Sequence, residues 1–174
     1  MVDTMLKHKE NTVDKDMEQR IWAWLAAVPD PEIPVLSVVD LGIVRGFNLG
    51  TNSLEVEVAP TYSGCPATEF IESSIVSSLQ DHGLQNVSVK RVLSPPWTTD
   101  WITEAGREKL RVYGIAPPEG SASKMALLGD TKSVSCPRCG TTKTSLVSEF
   151  GSTACKASWK CDECLEPFEY FKCI

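Results

Sequence analysis

Between residues 16 and 115 the apolar positions change period several times, and each change marks an element. Met17, Ile21, Trp24, Leu25 and Val28 recur at i, i+4, i+7, i+8 and i+11, which is one face of a helix. Pro29 and Pro31 stop it. Ile43–Leu49 and Leu54–Ala59 flank Gly50-Thr51-Asn52-Ser53 and read as a β-hairpin. Leu54, Val56 and Val58 alternate with Glu55 and Glu57, so that strand has one buried face and one wet face. Ala67, Phe70, Ile71, Ile75 and Leu79 mark a second amphipathic helix closed by Gly83. Val87, Val89 and Val92 make a third strand, and Thr103–Tyr113 a third helix. The order α-β-β-α-β-α predicts an α+β fold, a small sheet with helices packed on one face.

The pattern ends at a Pro/Gly/Ser-rich stretch, Ala116-Pro-Pro-Glu-Gly-Ser-Ala-Ser-Lys124, which has the composition of a linker. Four parts follow: a polar, frayed segment at 1–15, the α+β body at 16–115, a linker at 116–133 and a small module at 134–174. The body is long enough to bury a core of its own. The last module is too short, which fits a fold held by metal.

Cysteine usage supplies that metal site. Six of the seven cysteines lie within residues 134–174, and Cys65 alone lies outside. Cys136-Pro-Arg-Cys139-Gly140 and Cys161-Asp-Glu-Cys164 are two CxxC knuckles separated by the 21 residues 140–160, one residue beyond the usual range, as a hairpin insertion would give. Four thiolates so spaced can close a tetrahedron around zinc in a ribbon-like module, with strands near Leu146–Phe150 and Ser158–Lys160. Structural zinc is the expectation; disulfides and an iron–sulfur centre on the same thiolates are the alternatives. Cys155 and Cys173 are surplus to one such site. They read as small buried hydrophobes or thiols beside the ligands, with ligand exchange or transient cluster holding as the sharper alternative.

Composition narrows the partners. Lys and Arg total 17 against 23 Asp and Glu, a net charge of −6, so no cationic footprint for nucleic acid is present. No run of about 18 apolar residues occurs, and the charged N-terminus lacks a signal-peptide core. The expectation is a cytoplasmic protein with reduced thiols, contacting neither nucleic acid nor membrane. No GxGxxG or GxxxxGK[ST] motif occurs, so dinucleotide and nucleoside triphosphate sites are unsupported. His8 and His82 have Met5 and Leu79 three residues before them, so neither belongs to a Glu-x-x-His iron motif. The chain is not expected to carry an oxygen-activating centre itself.

Cys65 stands in a loop before the second helix, with Pro66 at an expected first helical position. A thiol there feels the helix dipole and free N–H groups, which favour the thiolate. From the residues alone, a metal or cluster ligand and an inert packed cysteine are equal alternatives. A nucleophilic role is the weakest reading, because no histidine lies nearby in sequence. Trp22 and Trp24 read as core or interface anchors. Trp97 and Trp101, beside Pro95-Pro96, are expected on a surface that meets a partner or a second copy of the chain.

Three motifs in order, Asp30-Pro-Glu-Ile-Pro34, Asp40-Leu-Gly-Ile-Val44 and Thr61-Tyr-Ser-Gly-Cys-Pro66, resemble the MIP18 (DUF59) family, whose members serve in iron–sulfur cluster assembly. Together with Leu93-Ser-Pro-Pro-Trp-Thr-Thr-Asp-Trp-Ile-Thr103, Phe150-Gly-Ser-Thr-Ala-Cys-Lys156 and the ending Glu166-Pro-Phe-Glu-Tyr-Phe-Lys-Cys-Ile174, the chain resembles the PaaD family of the phenylacetyl-CoA epoxidase system. The resemblance implies an accessory protein that matures or inserts an iron–sulfur or iron centre, with the iron–sulfur reductase as the expected acceptor. The alternative it leaves is a docking subunit of the oxygenase with no metal-transfer role. It also implies that Cys65 is the metal-handling cysteine. Asp40 either lines that site or satisfies N–H groups in its own turn, and Glu32 either joins the site or bends its loop.

Overall fold

The structure is a computed structural model that describes residues 15–62, 64–119 and 134–172. Residues 1–14 of the expected frayed N-terminus and most of the expected linker, together with Cys173, lie outside the described residues; residue 15 already belongs to a helix. Helix α1 covers residues 15–25. It is followed by β1 (Val44–Leu49), β2 (Leu54–Val58), α2 (Thr68–Asp81), β3 (Val87–Arg91), a 3₁₀ turn (Thr99–Trp101) and α3 (Glu104–Tyr113). Strands β4 (Ile115–Ala116), β5 (Thr144–Ser148), β6 (Lys156–Cys161) and β7 (Pro167–Phe171) complete the chain.

The first three strands form one sheet in the order β1-β2-β3, antiparallel then parallel. Leu54, Val56 and Val58 are buried in one cluster with Ile21 and Leu25 of α1, Ile71, Ile75 and Leu79 of α2 and Leu110 of α3. The opposite face carries Glu55 and Glu57, which share Lys90 at 3.8 and 3.1 Å. The expected one-sided α+β layer is therefore observed. No described helix is long and apolar enough to cross a membrane.

The second sheet has the order β4-β7-β6-β5. Its first strand comes from the end of the body and pairs in parallel with β7, so the cysteine-rich module completes its sheet with two residues from the preceding part of the chain. A second tie is apolar. Trp97 and Phe171 pack with ring centroids 6.2 Å apart, and Phe171 and Cys155 are buried within the body's core cluster.

Trp97 corrects the sequence reading. It is 5% exposed, and its indole N–H donates to the Leu41 carbonyl at 2.9 Å. It is a core anchor between the two modules, not part of a partner surface. Trp101 is half-buried, with the Arg45 guanidinium 3.4 Å from its ring centroid. The Asp-Leu-Gly turn abuts Trp101: a Cβ on Gly42, whose φ is +65°, would stand 2.4 Å from the Trp101 carbonyl oxygen.

Asp40 holds that turn to helix α3. Its carboxylate accepts from the Ser37 N–H at 2.9 Å and the Ser37 hydroxyl at 2.8 Å, and pairs with Lys109 at 2.6 Å. Burial alone would raise its pKa, but hydrogen bonds from Lys109 and Ser37 outweigh it and hold the carboxyl below the usual range. A lowered folded pKa contributes stability above the unfolded value of about 3.9, and that stability is lost as pH falls through the folded value. Asp40→Asn is expected to cost about 2 kcal/mol at neutral pH, moderated because Lys109 is half-exposed. Urea titrations at pH 7 and pH 3 check this; the gap between variant and parent should narrow at the lower pH.

Candidate functional site

Cys65 is placed by two short turns. Its N–H donates to the Tyr62 carbonyl at 3.3 Å, and its carbonyl accepts from the Thr68 N–H at 3.2 Å. Helix α2 starts at Thr68 with Ala67 as its N-cap, so Pro66 precedes the cap and is not the first helical residue. The backbone spends the intervening residues turning. Cys65 is part-exposed and borders two spaces. One is a narrow, partly open cavity of about 20 Å³; the other is a more open recess of about 500 Å³ lined also by Pro60, Thr68, Glu69 and Arg91.

The narrow cavity collects polar groups from distant parts of the chain: Asp30, Glu32, Cys65 and Cys155, between walls that include Ile43 and Phe171. Asp30 accepts from the N–H groups of Glu32 and Ile33 at 2.9 and 2.7 Å, a tight turn that delivers Glu32 to the cavity. Burial raises the Asp30 pKa, against the pull of those two N–H groups and of Lys156. Burial and the Asp30 charge raise that of Glu32. The Tyr62 pKa is pushed up to about 12, by burial first and then by the neighbouring Cys65.

Cys155 enters from the ribbon. The loop before it is held by the Gly151 N–H on the Lys156 carbonyl at 2.8 Å and by the Ser152 N–H on the Glu169 carboxylate at 2.6 Å. A Cβ at Gly151 would lie 2.7 Å from a Glu169 carboxylate oxygen, so a larger residue there would push that side chain aside. Cys155 Sγ sits 4.0 Å from Glu32 Oε2 and 3.0 Å from the Thr153 hydroxyl, and burial raises its pKa. Lys156, 3% exposed, pairs with Glu169 at 2.9 Å and also offsets the charges of Asp30 and Glu32.

Of the sequence-nominated residues, Cys65, Glu32 and Cys155 therefore line one cavity, with Cys155 in contact with Glu32. Asp40 does not line the cavity; Ser37 and Lys109 occupy its carboxylate. Sequence reasoning misses Asp30 and Tyr62 as site residues, although both stand inside the family motifs. An acidic residue two before Glu32 and a phenol three before Cys65 are the available signals. Trp22 packs on Phe47, and Trp24 stacks on His82 at 4.6 Å. Both are anchors at the edge of the core.

The second constellation is the cysteine quartet. The sulfurs of Cys136, Cys139, Cys161 and Cys164 lie within 4.8 Å of one another, the sole such group of metal-binding side chains among the described residues. Cys136–Cys164 and Cys139–Cys161 are separated by 3.8 and 3.6 Å. A disulfide needs about 2.05 Å, whereas Zn–S bonds of about 2.3 Å give tetrahedron edges near 3.8 Å. The donor set fits zinc. Glycine at 140, with φ +75°, lets the first knuckle turn back. Cys136 and Cys161 are buried in the ribbon's small core beside Trp159, Phe168 and Tyr170.

Comparisons with known proteins agree with this layout. Residues 18–92 match the model of an iron–sulfur cluster assembly protein family, and residues 120–172 match the PaaD zinc beta ribbon domain. The putative D component of 1,2-phenylacetyl-CoA epoxidase from Escherichia coli is 48% identical over 163 residues, covering 94% of this chain and 97% of that protein. Among solved structures, a DUF59 domain from Bacillus anthracis is 26% identical with a TM-score of 0.52, covering 55% of this chain and 92% of that one. A conserved hypothetical protein from Thermotoga maritima is 28% identical with a TM-score of 0.46, covering 53% and 92%.

Proposed function

The chain belongs to the PaaD family, that of the putative D component of 1,2-phenylacetyl-CoA epoxidase, and from that premise we propose that it delivers iron, free or as an iron–sulfur cluster, to a component of the epoxidase system. The observation that carries this is the position of Cys65. One side of its loop opens on a recess that an acceptor protein can enter, and the other faces a narrower cavity with two carboxylates and a second thiol. A thiolate between a protected space and an open one suits a ligand that receives metal and then surrenders it. The acceptor is taken to be the iron–sulfur reductase, since cluster loading is the chemistry the assembly domain serves.

Zinc on Cys136, Cys139, Cys161 and Cys164 has a different task in this reading. It takes no part in delivery; it holds the ribbon folded so that Cys155 and Phe171 reach the body. Oxygen activation belongs to another component.

The experiment is complementation in cells that lack this protein but contain the other epoxidase components. Cys65→Ala is expected to fold, at a stability cost of about 1 kcal/mol, and to lower epoxidase activity at least tenfold. Supplying reductase matured beforehand should restore it. Activity that stays low with matured reductase, while this protein co-purifies at one copy per complex, would favour the docking-subunit reading. The exposed apolar residues Leu146, Val147 and Phe150 give that reading a surface to use.

A further inference from the structure

We propose that the free edge of strand β5 pairs with the β5 edge of a second copy of this chain, joining two ribbon sheets antiparallel about Leu146. The proposal goes beyond the delivery reading and does not depend on it. β5 stands last in the sheet order β4-β7-β6-β5, so among the described strands it pairs with β6 alone and its outer edge meets none. Exposed edges are commonly guarded by charge or proline. Residues 144–148, Thr-Ser-Leu-Val-Ser, contain neither. Leu146 and Val147 are 49% and 66% exposed, so the fold leaves this apolar strand uncovered. An uncharged apolar edge of this kind is a template for a further strand.

Charge chooses the occupant. Lys143 and Glu149 stand on either side of the uncharged run, each three positions from Leu146, and both are exposed. An incoming antiparallel strand centred on Leu146 must therefore offer an acid opposite Lys143 and a base opposite Glu149. A second β5 does both: its Glu149 meets Lys143 and its Lys143 meets Glu149, while Leu146 faces its own counterpart. Such a contact is isologous and closes on itself, so it gives a dimer and not a fibre. The bulge at Val147 twists the strand, and it recurs at the two-fold-related place in the second copy, which keeps the pairing symmetric. Lys143 already pairs with Glu163 at 2.9 Å, but its ammonium has three donors and is 75% exposed, so it can serve both carboxylates.

Sedimentation equilibrium of the full, zinc-loaded chain is the test. An interface built on one short strand lies at the weak end of specific contacts, so a reversible dimer should prevail at about 100 µM and dissociate to single chains below about 1 µM. Lys143→Glu and Glu149→Lys should each weaken the dimer at least tenfold, because in a symmetric pair each substitution sets two like charges face to face. Combining the two restores opposite charges and should return the dimer to within about threefold of the parent. Zinc content and hydrogen-exchange protection of β6 should stay at parental values in all three variants, which separates a lost contact from an unfolded ribbon. Single chains throughout the concentration range in the parent protein overturn the proposal, as does a dimer that both single substitutions leave unchanged or a double variant as weak as the singles. An edge that stays single on its own, yet is covered by a strand of an epoxidase component, also overturns it and gives β5 to that partner.

Discussion

Cys136→Ser is expected to release the zinc and unfold the ribbon as a unit, while the body keeps its helices and its three-stranded sheet. Cys136 is both a ligand of the quartet and a member of the ribbon's small buried cluster, so serine removes a ligand and buries a hydroxyl in its place. Zinc binding in small ribbons is worth about 10–16 kcal/mol, which exceeds what eight buried side chains could replace. Hydrogen exchange should show protection lost across β5, β6 and β7 and kept in β1, β2 and α2. Zinc analysis should fall from one equivalent toward none. A variant that keeps stoichiometric zinc and a protected ribbon would refute the assignment of the quartet.

The second large effect is at Trp97. Replacing it by alanine removes a buried indole, its hydrogen bond to Leu41 and its contact with Phe171. The expected cost is about 3–5 kcal/mol, a fall in Tm of roughly 10 °C for a chain of this size. Trp97→Phe retains an aromatic against Phe171 and should recover more than half of that. The loss should be accompanied by faster proteolysis of the junction between body and ribbon, because the same ring closes both cores. Unchanged stability together with lost association to another protein would return Trp97 to a surface role.

These two expectations show where the sequence is legible. Alternation from Leu54 to Val58 and the periodic spacing of Ile71, Ile75 and Leu79 report burial through neighbours close in sequence, so the hairpin and α2 can be read directly. The zinc quartet is legible for the same reason, since each CxxC is a local signal and the pairing of two knuckles leaves little choice. Trp97 misleads because a tryptophan after Pro-Pro looks the same whether its partner is another chain or Phe171, 74 positions along. Cys155 is ambiguous because it lies among zinc ligands in sequence and beside Glu32, 123 residues away, in space. Asp40 is tied to Lys109 across 69 residues, a pairing no local pattern announces. Strand β4 has two residues and no period to detect. β7 does alternate, with Phe168 and Tyr170 buried, yet its aromatic residues enter the sequence reading only through the family resemblance.

The cavity draws its lining from both modules. Without the ribbon, Cys65 and Glu32 would lack both Cys155 and the Lys156 charge. Metal in the quartet fixes the fold of the module that carries Cys155.

Delivery through Cys65 is best tested by the iron and acid-labile sulfide content of the reductase component, isolated from cells in which Cys65→Ala replaces the parent protein. The expected result is reductase present at normal amounts with its iron and sulfide reduced at least fivefold, beside a folded, zinc-replete Cys65→Ala protein. A fully loaded reductase from those cells would contradict delivery through this cysteine.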